Sequence, residues 1–463
     1  MAASRNTMFS FVNSRATCSA EKHIYKGCFE WVWNFVGFIS INCGIAPGSD
    51  YTDDETQIYY TLDAKFIDTG INYNVSKEYV DEDTDQLMDV RSFPEGDRNC
   101  YALPPGQGKN HKYLIRAWFM YGNYDSKNQP LVFKLYLGVD EWATVNITNA
   151  SVIIRKEIIH IPTTDVIDVC LVNAGSGTPF ISVLELQQLN DSIYSPTEPG
   201  SLLLHDRWDF GTQKEKWSLI RWGTKKTLPL FLFLKSDNFS GYQKCFFFSF
   251  LKNRKLFLET ITNQTCFTSF FFSLILYVYW TNKLCKHKLW SYRSKDDVYD
   301  RIWRPFTQSS WESINSSVVR SSFSVSDYKL PGIVMATAAT PANESEPLRI
   351  SLDIDDDPSQ KLYIYMHFAE VKEGVFREFT TFVNDDEAWG GTVLTTYLFS
   401  YTAESDYSMS GSTTKKLSFS LKRTNRSTLP PIINAMEVYI IKEFSQASTQ
   451  QNDGRFSYFR YMF

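Results

Sequence analysis

The strongest chemical signal in the chain is the string MYGNYD, which sets Tyr121, Asn123, Tyr124 and Asp125 within five positions. An aromatic ring stacks on the apolar face of a sugar, and amides and carboxylates bind its hydroxyls, on a loop steadied by a rigid sheet. The plain alternative makes Tyr121 a core residue and Tyr124 an ordinary loop residue. Trp142, in GVDEWATV, is a second candidate ring that equally suits capping a sandwich edge.

Catalytic signatures are missing. A kinase needs a glycine-rich loop, a strand lysine, an H-R-D loop and D-F-G, and none occurs. H-E-x-x-H and G-x-S-x-G are absent too. NAGSGTPF (173–180) holds a lone G-x-G, which reads as a tight turn. The acidic run at Asp353, Asp355, Asp356 and Asp357 puts Pro358 where a calcium loop wants glycine, so it reads as a solvated turn. His205 and His367 are expected to be structural. Eight cysteines show no zinc spacing, and the pairing of Cys43, Cys100 and Cys170 stays open. The expectation is a chain that is no enzyme and holds no cofactor or metal.

The elements that must position these residues are strands. From Phe38 onward, apolar and β-branched runs such as YLIRAWFMY (113–121), LVFKLYL (131–137) and VIDVCLV (166–172) alternate with Gly/Pro/Asn/Asp clusters. The pattern predicts an all-β fold of sandwiches. Three strings recur in order: YLIRAWFMYGNYD in YIYMHFAEV (363–371), FKLYLG in EFTTFVN (378–384), and PFISVLELQQL in PIINAMEVYII (431–441). This predicts a duplicated unit. At the place matching MYGNYD the second copy reads FAEVKEG, with Glu370 and no second aromatic.

Net charge is −5 with pI near 5.8, which gives no reason to expect nucleic acid. Sequons stand at Asn74, Asn146, Asn149, Asn190, Asn315, Asn343 and Asn425, with Asn238 and Asn263 in an aberrant middle segment. Their loop-like settings point to a secreted glycoprotein. Residues 1–37 lack a clear signal peptide. Residues 222–293 carry eleven Lys/Arg against Asp237 and Glu259 alone, with runs such as CFFFSF, the composition that translated AT-rich DNA gives. They read as an intron-derived insertion. A membrane helix at 267–280 is the rival, but its apolar run falls short of the ~20 residues a bilayer needs.

Several strings resemble the malectin-like extracellular region of plant leucine-rich-repeat receptor-like Ser/Thr kinases. They are FISINCGIAPGSDYTDDETQIYYTLDAKFIDTG (38–70), RSFPEGDRNCYALPPGQGKNHKYLIRAWFMYGNYD (91–125), DRWDFG (206–211), DDVYDRIWRPF (296–306) and LPPIINAMEVYIIKEF (429–444). The resemblance implies two tandem malectin-like β-sandwiches, at 38–191 and 294–444. Residues 192–221 would be linker and the start of the second unit, and 445–463 an aberrant tail. It also places Tyr121, Asn123, Tyr124 and Asp125 where animal malectin has sugar-contacting aromatics. The implied role is a ligand-binding ectodomain fragment at the outer face of the plasma membrane, recognising cell-wall carbohydrate or a secreted peptide. Its membrane attachment would lie in parts missing from this chain. The alternative is a protein-interaction module that docks another receptor kinase without binding sugar, and a glycoside-processing enzyme is the remaining one.

Overall fold

The computed structural model describes residues 38–445 except 54–55, 57, 80–84, 197–199, 213–243, 250–256, 263–296, 319–325, 354–360, 386 and 409–415. The expectations for the two chain ends, for Asp355–Asp357, for Asn238 and Asn263, and for a helix at 267–280 lie outside the described residues. Of the segment 222–293, only the strands Lys244–Ser249 and Phe257–Thr262 are described, and they pair antiparallel.

Strand alternation follows the sequence. In Leu131–Leu137, Leu131, Phe133, Leu135 and Leu137 point into the core while Val132, Lys134 and Tyr136 are half-exposed. Leu348–Asp353 alternates in the same way. Tyr113–Met120 is buried at all eight positions, so both of its faces are covered. That explains an apolar run with a single charge, Arg116, at its middle.

Two sandwiches result, and their pairing is duplicated. In the first unit, Val183–Gln188 lies between Phe38–Asn42 and Tyr113–Met120, which pairs onward with Ile153–His160. In the second, Ala435–Lys442 lies between Ser201–Asp209 and Lys361–Phe368, which pairs onward with Tyr401–Ser408. The outer sheets repeat as well. Arg98–Leu103, Ile167–Ser176, Leu131–Leu137 and Asp140–Ile147 stand in that order in the first. Leu348–Asp353, Lys416–Arg423, Glu378–Val383 and Glu387–Leu394 do so in the second. All three recurring strings fall on corresponding strands.

The inner sheets are not separate. Ile158 pairs with Leu203 and Ile159 with Leu202, which fuses both into one 11-stranded sheet. Each unit has its own apolar core, and a further cluster fills the seam between them: Leu114, Ile159, Ile193, Tyr194, Leu202, Tyr299, Tyr363, Tyr365 and Tyr439. The Ser/Pro-rich stretch 192–203 supplies Tyr194 to that cluster and opens the fusing strand.

The disulfide question resolves inside the first unit. Cys100 and Cys170 stand directly opposite each other in adjacent strands and are bonded, 70 residues apart in sequence. Cys43 is a buried free thiol whose pKa burial pushes up. Closing a loop of this length restricts the unfolded chain. The double variant Cys100→Ala plus Cys170→Ala should lose about 2–4 kcal/mol in guanidinium unfolding, with Cys43 unreactive to thiol reagents until the protein unfolds.

Candidate functional site

The loop after Tyr113–Met120 is built around a glycine. Gly122 adopts φ +49, and a Cβ there would lie 2.5 Å from the Val75 side chain. Its amide donates to Ala150 O at 2.9 Å, and its carbonyl accepts from Ser76 N at 2.8 Å. This turn brings Tyr121, Asn123, Tyr124 and Asp125 together, but it turns the rings inward. Tyr121 is 2% exposed and Tyr124 9%. The Tyr121 hydroxyl donates to Asp125, and Tyr124 shares a 2.8 Å bond with Ser92. Burial, followed by the bond to Asp125, pushes the Tyr121 phenol up to about 12. Both rings pack on Phe180. Asn123 Oδ1 accepts from Asn128 N at 2.8 Å, and Asp125 lies 3.5 Å from Lys127 Nζ.

The other two candidates lie elsewhere. Trp142 is fully buried in the core of the first unit, with no open ring face. Glu370 is buried in the second unit, where it accepts from Arg377 Nε at 2.7 Å and from the amides of Val371 and Lys372. It organises its own loop. Sequence reasoning missed Tyr73. This ring is 38% exposed on Ile71–Asn74, with its centroid 5.2 Å from that of Tyr124. The exposed strand INYN was a usable signal.

A second concentration of functional-looking side chains occupies the seam. Arg116 donates to Glu157 (2.8 Å), Glu185 (3.1 Å) and Asp300 (3.0 Å). Glu157 also accepts from Arg207 at 2.8 Å, and Arg207 donates to Glu437 at 2.6 Å. Tyr194 donates to Glu437 at 2.8 Å and accepts from Arg301 at 2.9 Å, while Arg301 is held by Asp297 at 2.9 Å. His367 completes the set at 3.2 Å from Glu437. Burial disfavours these carboxylates as anions, but Arg207 and Arg116 outweigh it and hold Glu157 down at about 2. Glu437 is held well below the carboxylate range against burial, chiefly by Arg207. The legible clue was a lone charge within an apolar run, Arg116 in YLIRAWFM and Glu185 in VLELQQ; Glu157 and Arg207 stand among other ionisable residues in IIRKEIIH and SLLLHDRWD.

All seven described sequon asparagines are exposed. At Asn149, Asn190 and Asn343 the side-chain Oδ1 accepts the backbone N–H two residues on, at 2.8, 3.1 and 3.1 Å, and this leaves Nδ2 as the outward group. Among the described residues no three His, Cys, Asp or Glu side chains converge as metal ligands, and no helix is long and apolar enough to cross a membrane.

Two duplicated sandwiches joined through one sheet, with a buried ionic network at their seam, define a two-unit all-β fold. The malectin-like domain model matches residues 41–223 and 249–441, and the chain belongs to that family. Its relatives include two Arabidopsis thaliana proteins named as LRR receptor-like serine/threonine-protein kinases. One is 37% identical over 90% of this chain and 40% of its own length. The other, IOS1, is 31% identical over 90% of this chain and 38% of its own length. The chain thus spans about two fifths of the relatives it matches. The fold is that of the Arabidopsis thaliana ANX2 ectodomain, with TM-score 0.59 at 12% identity over 88% of this chain and 97% of that one. It is also found in the complex of plant peptide RALF23 with FER and LLG2, with TM-score 0.57 at 13% identity over 88% and 95%. These are receptor-kinase ectodomains; the chain matches that non-enzymatic part and carries no kinase motif.

Removing one member of the seam network leaves buried charges unpaired. Glu157→Gln should cost about 3–5 kcal/mol at pH 7. Because the folded pKa lies below the unfolded value of about 4.3, the contribution of Glu157 is complete above that pH and is lost as pH falls toward 2. The stability gap between wild type and variant, measured in urea, should therefore narrow from pH 4.5 downward; a constant gap would contradict the assigned pairing.

Proposed function

We propose that this chain is the ligand-recognition ectodomain of a plant receptor-like kinase, acting at the outer face of the plasma membrane, and that its ligand is a secreted peptide, with a second receptor or co-receptor as a docking partner. The observation that carries the peptide preference is the enclosure of Tyr121 and Tyr124, whose rings and hydroxyls are committed within the fold. A sugar needs an open ring face. A related fold occurs in a complex with a peptide and a further protein, which supports the same preference. Carbohydrate recognition is the second reading, and exposed Tyr73 is the observation that favours it.

Tyr73→Ala separates the two readings, because its exposed ring adds little to the core. The variant should keep its melting temperature and its capture of secreted peptides. A cell-wall oligosaccharide whose binding falls tenfold or more in that variant would overturn the peptide preference. Tyr121→Ala and Tyr124→Ala are poor probes of binding, since truncating a buried ring costs about 3–5 kcal/mol. The extracellular assignment has its own check. Chain secreted from plant cells should carry glycans at Asn149, Asn190 and Asn343, seen by mass spectrometry as Asn-to-Asp conversion after enzymatic release. Sequons that all stay unmodified would argue against passage through the secretory pathway.

A further inference from the structure

The seam is paired at one end and unpaired at the other. Ile153–His160 meets Ser201–Asp209 only at Ile158 and Ile159. A bulge between Leu204 and Asp206 then bends the second strand. Among the described residues, Ile153–Glu157 is left with a partner strand on the Tyr113–Met120 side alone. Alternate backbone N–H and C=O groups of that stretch point toward the seam, as on any antiparallel edge.

Arg155 stands in this stretch. Its guanidinium lies 5.3 Å from the centroid of the Trp118 ring, its register partner in the neighbouring strand. Among the described residues it donates no hydrogen bond, and no carboxylate lies within ion-pair reach of it. The contrast with its neighbours is sharp: Arg116, Arg207 and Arg301 each hold one carboxylate or more. Glu157, two residues along the same face, gives one oxygen to Arg116 and the other to Arg207. Arg304 adds positive charge nearby and is itself ion-paired with Asp206. Burial lowers the pKa of Arg155; Glu157 opposes this, and Arg116, Arg207 and Arg304 add to it. The side chain is partly exposed, and Ile153 beside it is exposed. Among the described residues this partly desolvated guanidinium has the Trp118 ring beside it and no anion, and an anion would offset the cost of its desolvation.

We propose that Arg155 binds a carboxylate side chain of the peptide ligand, which lies extended along Ile153–Arg155 at the unpaired end of the seam; this rests on the peptide reading above. The chemistry favours a peptide over an acidic sugar on two counts. Arg155 itself covers the Trp118 face, which removes the platform a sugar ring would stack on. The one-sided strand edge offers main-chain hydrogen bonds, which an extended peptide completes. The planar fork of the guanidinium takes a carboxylate through two parallel bonds.

The test uses the full secreted chain and two labelled heptapeptides of alternating Thr and Val, one with a central Glu and one with Gln in its place. The Glu peptide should bind on the order of tenfold more tightly. Arg155→Met, which keeps an apolar stem over Trp118, should erase that difference and leave the melting temperature within about 2 °C, because among the described residues it gives up only the contact of the guanidinium with the Trp118 ring and no hydrogen bond or ion pair. Arg155→Lys should retain part of the preference. Equal binding of both peptides to the wild type overturns the proposal. So does a preference that survives Arg155→Met, a melting temperature that falls by many degrees, or no binding of the Glu peptide at millimolar concentration. Peptide binding that ignores Arg155 would leave the peptide reading standing and remove only this site. Arg155-dependent binding of a uronic acid trimer without the Glu peptide would overturn the peptide as occupant.

Discussion

The relation between the two sandwiches is set by Glu157. It sits in the last inner strand of the first unit and accepts from Arg116 of that unit and from Arg207, the strand that opens the second. From Arg207 the contacts run through Glu437 to Tyr194, Arg301 and Asp297, all buried. Ions removed from water are repaid only when each is met in good geometry. Rotating one unit against the other would leave several charges unpaired at once. Two backbone pairs, at Ile158 and Ile159, are a thin connection for units of this size. The ionic ladder makes that connection specific, and the tyrosine-rich cluster around Tyr194 makes it dry.

Duplication explains where the ladder came from. Glu185 and Glu437 occupy corresponding places, one in Val183–Gln188 and the other in Ala435–Lys442. Each takes an arginine from an adjacent strand, but from opposite sides: Glu185 from Arg116, and Glu437 from Arg207. A buried glutamate thus persists in both copies while its partner has changed strand. In the second copy that change ties the glutamate to the fusing strand. Residues 297–303 then cover both copies, with Asp300 on Arg116 and Arg301 beside Glu437.

Much of this was legible in the sequence. Alternation in LVFKLYL and the three recurring strings gave the strands, their order and the duplication, because half-buried strands write their faces into a period of two. The candidate site was less legible. MYGNYD does bring four polar and aromatic residues together, but sequence does not say which way a ring points, and Tyr121 and Tyr124 pack on Phe180 from a distant strand. The seam escaped for a related reason. Arg116 and Asp300 are 184 residues apart, and a lone charge in an apolar strand reads locally as a blemish. Arg116 and Glu185, each alone in an apolar strand, were the readable part of it.

The ladder also constrains how such an ectodomain can respond to a ligand. Opening the seam would expose the Tyr194 cluster and strand the charges of Glu157 and Glu437, whose depressed pKa values show how strongly the folded state holds them ionised. Hinge closure between the units would have to overcome that cost, which favours one fixed arrangement of the pair. A body held in one arrangement recognises by presenting surface already in place, with little ordering to pay on contact. The surfaces left for that work are those the ladder does not consume: the loop end around Tyr73, the exposed sequon loops, and the one-sided edge beside Arg155. Recognition by such a body is read out by what it brings alongside itself, which suits the role proposed above.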